Sequence, residues 1–230
     1  AAAAPFRHGW TELRRHLTWT LAQAGVATRC GETVTADMIR AEAPDVLILA
    51  TGALPREAAW IAGANTTVLS ALDVLEGRAT PQGRVVVVGG GCSGAQTAEF
   101  IAERGLPVTL VEESAVIAAD APVDEQALLR KRLGRSALIL TQTVVTGAGE
   151  RQVMINGPQG RMSMACDTLV LCFGARPNDR LATEARDLVP VMISVGDCVE
   201  PRLVLEAMVE GARAGFHLAA PAPAATVHAA

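Results

Sequence analysis

The chain contains no tyrosine, and aromatic residues make up only 3% of its 230 positions. Surfaces that hold single-stranded nucleic acid need aromatic side chains on which bases stack, and those that hold a duplex need clustered basic residues. Neither is present, and the formal net charge is −4, so nucleic acid is not an expected partner. No apolar run approaches the roughly 18 residues that a membrane span requires, and no membrane partner is expected. Ala1-Ala2-Ala3-Ala4 is short and lacks the charged flank of a secretory signal. These absences together give an expectation of a soluble, cytoplasmic protein. The five cysteines, Cys30, Cys92, Cys166, Cys172 and Cys198, form no C-x-x-C pair. A thioredoxin-type disulfide and a clustered zinc or iron–sulfur site are therefore not expected, and no metal is assigned. The histidines His8, His16, His217 and His228 lie toward the two ends and read as solvated side chains, not as catalytic bases.

Half of the residues are apolar, enough to fold one large or two small domains with a sizeable core. Apolar residues recur at helical spacing over residues 9–25, and a short strand is predicted at 26–30, with a short helix opening at Thr35. Val46-Leu47-Ile48-Leu49-Ala50 is a continuous apolar run of the kind produced by a parallel strand buried on both faces. It ends in Thr51-Gly52-Ala53-Leu54-Pro55. Residues 57–78 read as a connector carrying a short helix near 72–76. A helix at 123–133 leads to a strand at 137–140. The stretch 152–165 alternates about Asn156-Gly157-Pro158-Gln159-Gly160, as an antiparallel hairpin would. A second buried strand, 168–173, ends in Gly174-Ala175-Arg176-Pro177, repeating the device that follows Ala50. A further strand, 191–195, ends in Gly196-Asp197, and a last helix spans 203–218. The Pro/Ala-rich tail is expected to be disordered.

The densest signal is Val85-Val86-Val87-Val88-Gly89-Gly90-Gly91-Cys92-Ser93-Gly94. A strand runs directly into glycines at the G-x-G-x-x-G spacing of a dinucleotide-binding turn. Gly89 makes the tight turn, Gly91 lets a pyrophosphate approach the backbone, and Gly94 lets helix and strand pack closely. The following helix offers N–H groups and its positive dipole end to phosphates. Small Ala98 suits the sheet side of that helix, and Gly105 closes it. A second strand, 108–111, ends at Glu112, about twenty residues on, where an acid that binds a ribose belongs. The alternative for this stretch is a flavodoxin-like strand–turn–helix with no dinucleotide. Cys92 stands where a helix N-terminus lowers a thiol pKa, yet it also suits a crowded turn simply as a small residue.

Five pieces of sequence carry a family resemblance: Leu49-Ala50-Thr51-Gly52-Ala53, Ser70-Ala71-Leu72-Asp73-Val74-Leu75, the stretch from Gly89 to Glu99, Ala165-Cys166-Asp167-Thr168-Leu169-Val170, and Val195-Gly196-Asp197-Cys198. In this order they resemble the flavoprotein disulfide-reductase superfamily. Within it they are most similar to the C-terminal region of the old-yellow-enzyme-related fusion flavoproteins, the 2,4-dienoyl-CoA reductase and trimethylamine dehydrogenase family. The Ala-Leu-Asp-Val-Leu connector favours the dienoyl-CoA reductase branch. The resemblance implies an α/β fold of two Rossmann-like dinucleotide-binding domains with an antiparallel β hairpin or meander. An NAD(H) domain, residues 84–173, would be inserted into an outer FAD or ADP domain formed by residues 5–80 and 175–218, with 219–230 as the tail. The outer domain's own first fingerprint is missing, and so is the family's barrel with FMN and an iron–sulfur cluster. The chain is accordingly expected to be a fragment, a split subunit or a degraded gene.

The resemblance implies cofactor contacts from Gly89, Gly91, Cys92, Ser93, Gly94, Gln96 and Glu112 on the NAD(H) side. It implies contacts from Gly196 and Asp197 on the FAD side, with Thr51, Gly52 and Gly174 bordering the two nucleotide sites. Gln96 replaces an acid common in the family; its amide can still bond a carboxamide. The cofactors supply the chemistry, so no catalytic acid or base is demanded of the chain. Glu112 and Glu113, with no arginine directly after them, favour NADH over NADPH. The leading expectation is an NADH-dependent flavin oxidoreductase module that feeds a partner FMN/iron–sulfur barrel. The alternatives are an electron-transfer or structural subunit of an amine dehydrogenase holding ADP, and a relative of ferredoxin or rubredoxin reductases.

Overall fold

The computed structural model describes residues 8–56, 58, 60 and 66–219. The tail expected at 219–230 lies outside the described residues beyond Ala219, as do His228 and Ala1–Ala4. In chain order the elements begin with α1 (His8–Gln23), α2 (Ala36–Glu42), β1 (Val46–Leu49), β2 (Ala53–Pro55), β3 (Thr67–Ser70), α3 (Ala71–Leu75), β4 (Val85–Val88) and α4 (Cys92–Ala102). Next come β5 (Val108–Val111), α5 (Val123–Leu133), β6 (Ala137–Leu140), β7 (Val144–Gly149), β8 (Gln152–Gly157) and β9 (Gly160–Ala165). The last are β10 (Thr168–Leu171), β11 (Ala175–Pro177), α6 (Arg180–Ala185), β12 (Val191–Ser194) and α7 (Val204–Ala219). The described residues divide into two compact units, 8–28 with 58–174, and 29–56 with 175–219.

The first unit is built on a five-stranded sheet in the order β3-β10-β4-β5-β6, with every pair parallel. All four valines of β4 are buried, because successive side chains of a central strand enter opposite layers. Val85 and Val87 join Ala95, Ala98, Ile101, Leu129 and Leu133 on the side of α4 and α5. Val86 and Val88 join Val145, Val153 and Ile155 on the other side, where β7, β8 and β9 form an antiparallel meander. The hairpin read from 152–165 is β8–β9, closed between Gly157 and Gly160; β7 adds the third strand. Between α4 and α5, Glu99 pairs with Arg132 through two bonds, one of them 3.1 Å from Arg132 Nη2 to Glu99 Oε2, with the Glu99 side chain only 4% exposed.

At the N-terminal ends of β4 and β10 the Asp167 carboxylate gathers several donors. It accepts from the Arg84 backbone N–H at 2.9 Å and Nε at 2.8 Å, and from Arg151 Nη2 at 2.6 Å. The Arg84 guanidinium, then the Arg84 backbone N–H, then the Arg151 guanidinium hold this carboxyl well below the usual carboxylate range.

The second unit is smaller. Its two-stranded parallel sheet pairs β1 with β12, from Val46 opposite Val191 to Leu49 opposite Ser194. The repeated Ala-Leu-Pro and Ala-Arg-Pro segments are β2 and β11, and they pair with each other antiparallel, Ala175 opposite Pro55 and Pro177 opposite Ala53. α2 starts at Thr35, whose Oγ1 accepts from the Met38 N–H at 3.3 Å. Residues 26–30, predicted as a strand, form none: the chain turns after α1 at Gly25, with φ +70°, and no neighbouring strand pairs with it. The sequence assigns residues up to 80 to the outer domain. In the structure β3 pairs with β10, so the described residues between 58 and 80 lie in the first unit, as does α1. A four-residue strand carries too little pattern to reveal which sheet it joins.

Candidate functional site

The glycine turn sits at the C-terminal end of β4, and three of its four glycines have a measurable reason to lack a side chain. Gly89 has φ +95°, and a Cβ there would lie 2.7 Å from the Cys172 carbonyl oxygen. At Gly94 a Cβ would lie 1.7 Å from the Gly89 carbonyl oxygen, closer than any packing adjustment relieves. Gly90 would place its Cβ 2.8 Å from Glu112 Cβ. The turn is therefore closed on three sides by its own backbone, by the start of the 172–174 turn and by the end of β5. Cys92 begins α4 directly after it, so the N-terminal N–H groups of an 11-residue helix point to the same place.

Glu112 stands at the end of β5 and reaches back over the turn. Its Oε2 accepts from the Gly90 N–H at 2.5 Å and its Oε1 from the Ser114 N–H at 2.7 Å. Each carboxylate oxygen keeps further lone-pair capacity, which suits an acid that also accepts from sugar hydroxyls. Ser93 is exposed in the first turn of α4, and its carbonyl accepts from Thr97 Oγ1 at 2.7 Å. Gln96 is one turn further on. Its Nε2 donates to Glu125 Oε1 and to Cys92 Sγ, both at 3.0 Å. Cys92, Gln96 and Glu125 thus form one polar cluster on the first turn.

Two further acids had no signal in the sequence. Asp120 Oδ1 accepts from the Cys92 N–H at 2.7 Å, and Glu125 comes from the first turn of α5. They lie 28 and 33 residues after Cys92, in a loop and helix start whose residue spacing follows no motif. Burial pushes the thiols of Cys166 and Cys172 up, to about 11 and about 12, so neither is poised as a nucleophile. No group of His, Cys, Asp and Glu fit to hold a metal occurs among the described residues. None of the described helices is long and apolar enough to cross a membrane.

In the second unit the predicted residues gather at the C-terminal ends of the adjacent strands β1 and β12, the edge at which open α/β sheets bind ligands. Thr51 and Gly52 follow β1. Thr51 Oγ1 donates to the Asn178 carbonyl at 2.7 Å, Asn178 Nδ2 donates to the Thr51 carbonyl at 3.1 Å, and the Asn178 N–H donates to the Gly52 carbonyl at 3.0 Å. Gly196 and Asp197 follow β12 in a single 3-10 turn, Gly196 with φ +71°. The Gly196 N–H donates to Glu210 Oε2 at 2.7 Å, and Asp197 Oδ1 accepts from the Arg202 N–H at 3.1 Å. Arg202 also pairs with Glu210. Asn178 and Glu210 were not legible as site residues, because each acts from a different element than the turn it braces. Gly174, φ +94°, closes the first unit's last strand region.

A glycine cradle at the end of a central parallel strand, a helix N-terminus and an acid on the next strand define a dinucleotide-binding α/β protein. A family model described as "Pyridine nucleotide-disulphide oxidoreductase" matches residues 10–211, and the chain belongs to that family of oxidoreductases. It is 36% identical over 206 residues to a bilirubin reductase of Mediterraneibacter gnavus, covering 87% of this chain and 31% of that protein. It is 34% identical over 229 residues to an NADH oxidase of Thermoanaerobacter brockii, covering 95% and 35%. Among solved structures it superposes on 2-naphthoyl-CoA reductase with TM-score 0.88 and 29% identity, covering 93% of this chain and 33% of that one. Histamine dehydrogenase from Rhizobium shares the fold, with TM-score 0.78 at 19% identity, covering 98% and 39%. The chain thus spans about a third of the length of these relatives.

Proposed function

We propose that the chain is the NADH-binding, flavin-linked module of a larger oxidoreductase, of the branch that joins such a module to an FMN/iron–sulfur barrel. The observation that carries this reading is the cradle at Gly89–Gly94 with Glu112 held over it. Close packing at Gly89, Gly90 and Gly94 fixes the turn, the bare Gly91 would face a pyrophosphate, α4 would direct N–H groups and its positive end at it, and Glu112 would accept from the adenosine ribose. Gln96, one turn along α4, is placed to bond a carboxamide once it leaves Glu125. Glu112 and Glu113 repel a 2'-phosphate, which favours NADH over NADPH.

In the second unit, residues of the β1 and β12 edge would hold FAD. One feature of the structure suits a ligand there: Glu206 Oε2, in the first turn of α7, is buried and has no hydrogen-bond partner among the described residues. An unsatisfied buried carboxylate oxygen is costly, and a flavin nucleotide with its ribityl hydroxyls brings donors. Bound together, the two cofactors supply hydride transfer from nicotinamide C4 to flavin N5. The chain's residues bind, orient and shield them. In this reading the NAD(H) unit interrupts an outer unit whose pieces are 29–56 and 175–219, and electrons leave for the barrel.

Two of the relatives are named for reductase or oxidase activity, one of them with NADH, which supports the direction of electron flow. The test is the visible spectrum of the protein as isolated, before and after anaerobic NADH. Flavin bands that bleach on NADH are expected. Flavin that stays oxidised overturns the reading.

A further inference from the structure

The loop after β5 lies on the cradle and fills the place that the fingerprint leaves bare. Its backbone is anchored to the glycine turn: the Ala118 N–H donates to the Gly90 carbonyl at 2.7 Å. Gln126 Nε2 donates to the Ala118 carbonyl at 3.2 Å, and Ile117 and Ala118 are buried. Ala118 has φ +54°, a left-handed conformation that a non-glycine residue adopts at some cost. This anchoring aims the next acid at the helix. Asp120 Oδ1 takes the Cys92 N–H at 2.7 Å, and a Cβ built on Gly91 would lie 3.4 Å from both Asp120 oxygens. The Asp120 carboxylate therefore occupies the space against Gly91 that admits a pyrophosphate, and it satisfies an N–H that the pyrophosphate would use. A carboxylate is the natural occupant of a helix N-terminus, and two anions do not share one.

We propose that Asp120 is a built-in competitor for the cofactor's pyrophosphate, an affinity-determining residue that must rotate out of the cradle before the dinucleotide seats. This rests on the reading that NADH binds at Gly89–Gly94. The residue is exposed, so its side chain is free to swing into solvent while Ile117 and Ala118 keep the loop docked. The consequence is weakened binding of any ligand that carries the pyrophosphate, reduced or oxidised, whatever stands at its far end. Nicotinamide riboside, which carries no phosphate, is unaffected.

The test is calorimetric titration of the full chain and of Asp120→Asn and Asp120→Ala with NADH, ADP-ribose and nicotinamide riboside, each protein checked for folding by circular dichroism. Asp120→Ala is expected to bind NADH and ADP-ribose about 5- to 50-fold more tightly than the parent, on the scale of one charge-assisted hydrogen bond. Asp120→Asn, which keeps an acceptor but no charge, falls between. Amide exchange at Cys92 in the unliganded Ala variant is faster than in the parent. Parent-like or weaker binding of both pyrophosphate ligands by the folded variants overturns the proposal while leaving the NADH reading in place. If no folded protein, the parent included, binds ADP-ribose, the NADH reading falls and the competitor role with it.

Discussion

The two units treat their apolar residues differently. In the first, β4 has neighbours on both edges and layers on both faces, and its four valines disappear from solvent. In the second, a two-stranded sheet leaves Ile48 and Val191 exposed, and α7 shows Leu205 at 66% and Phe216 at 76% exposure. A central strand can be apolar throughout only when both its faces are covered. The first unit covers its own mostly within one stretch of chain, 84–173, with β3, α3 and Trp60 added from before it. The same stretch supplies every residue of the glycine cradle. Core and cradle are thus one object: the residues that pack β4 against α4 also fix where the N-terminal N–H groups of α4 point.

The largest effect should come from breaking that identity at Gly94. Gly94→Ala places a Cβ where the Gly89 carbonyl oxygen already is, so strand and helix must part. A loss of about 4 kcal/mol or more is expected in chemical denaturation, at the upper end for single substitutions, together with loss of NADH binding. Next is the Glu99–Arg132 pair between α4 and α5, with Glu99 buried and Arg132 half-buried. Arg132→Met leaves the Glu99 carboxylate buried without its guanidinium, a cost of roughly 3–5 kcal/mol. Adding Glu99→Leu should recover much of it, as a double-mutant cycle by urea unfolding would show. A direct comparison of the units follows: Leu110→Ala in β5, fully buried, should cost roughly 2–5 kcal/mol. Leu205→Ser on α7 should stay within about 0.5 kcal/mol.

The smallest effect is electrostatic. Asp167 has a folded-state carboxyl held below the usual range by Arg84 and Arg151. Its contribution is therefore present above the unfolded value, about 3.9, and fades as pH falls through and below that value. The melting temperature of the parent should drop between about pH 5 and pH 2. Asp167→Asn should lower stability at neutral pH and flatten that drop.

Much of this was legible in the sequence for a local reason. The run from Val85 to Gly94 encodes strand, turn and helix start in consecutive residues, and Glu112 follows at the end of the next strand. Such features need no long-range information. The same holds for the hairpin about Asn156–Gly160 and for the strands that lead to Thr51 and Gly196. What escaped depends on the fold bringing distant segments together. Asp120 and Glu125 meet Cys92 only because α5 packs beside α4. Asn178 reaches Thr51 across 127 positions, and β3 reveals its sheet only by pairing with β10. The strand predicted at 26–30 failed for the converse reason, since β-branched residues without a neighbouring strand have no ladder to join.

The cradle of the first unit is proposed to hold NADH, with Glu112 reading the ribose. This is tested most directly by titrating the chain with NADH and NADPH in parallel, following nicotinamide fluorescence. Saturable NADH binding is expected, about 1–3 kcal/mol stronger than NADPH binding, roughly 5- to 150-fold in Kd, the cost of setting a phosphate against Glu112 and Glu113. Equal affinity for the two, or no saturable binding by the folded chain, would contradict it.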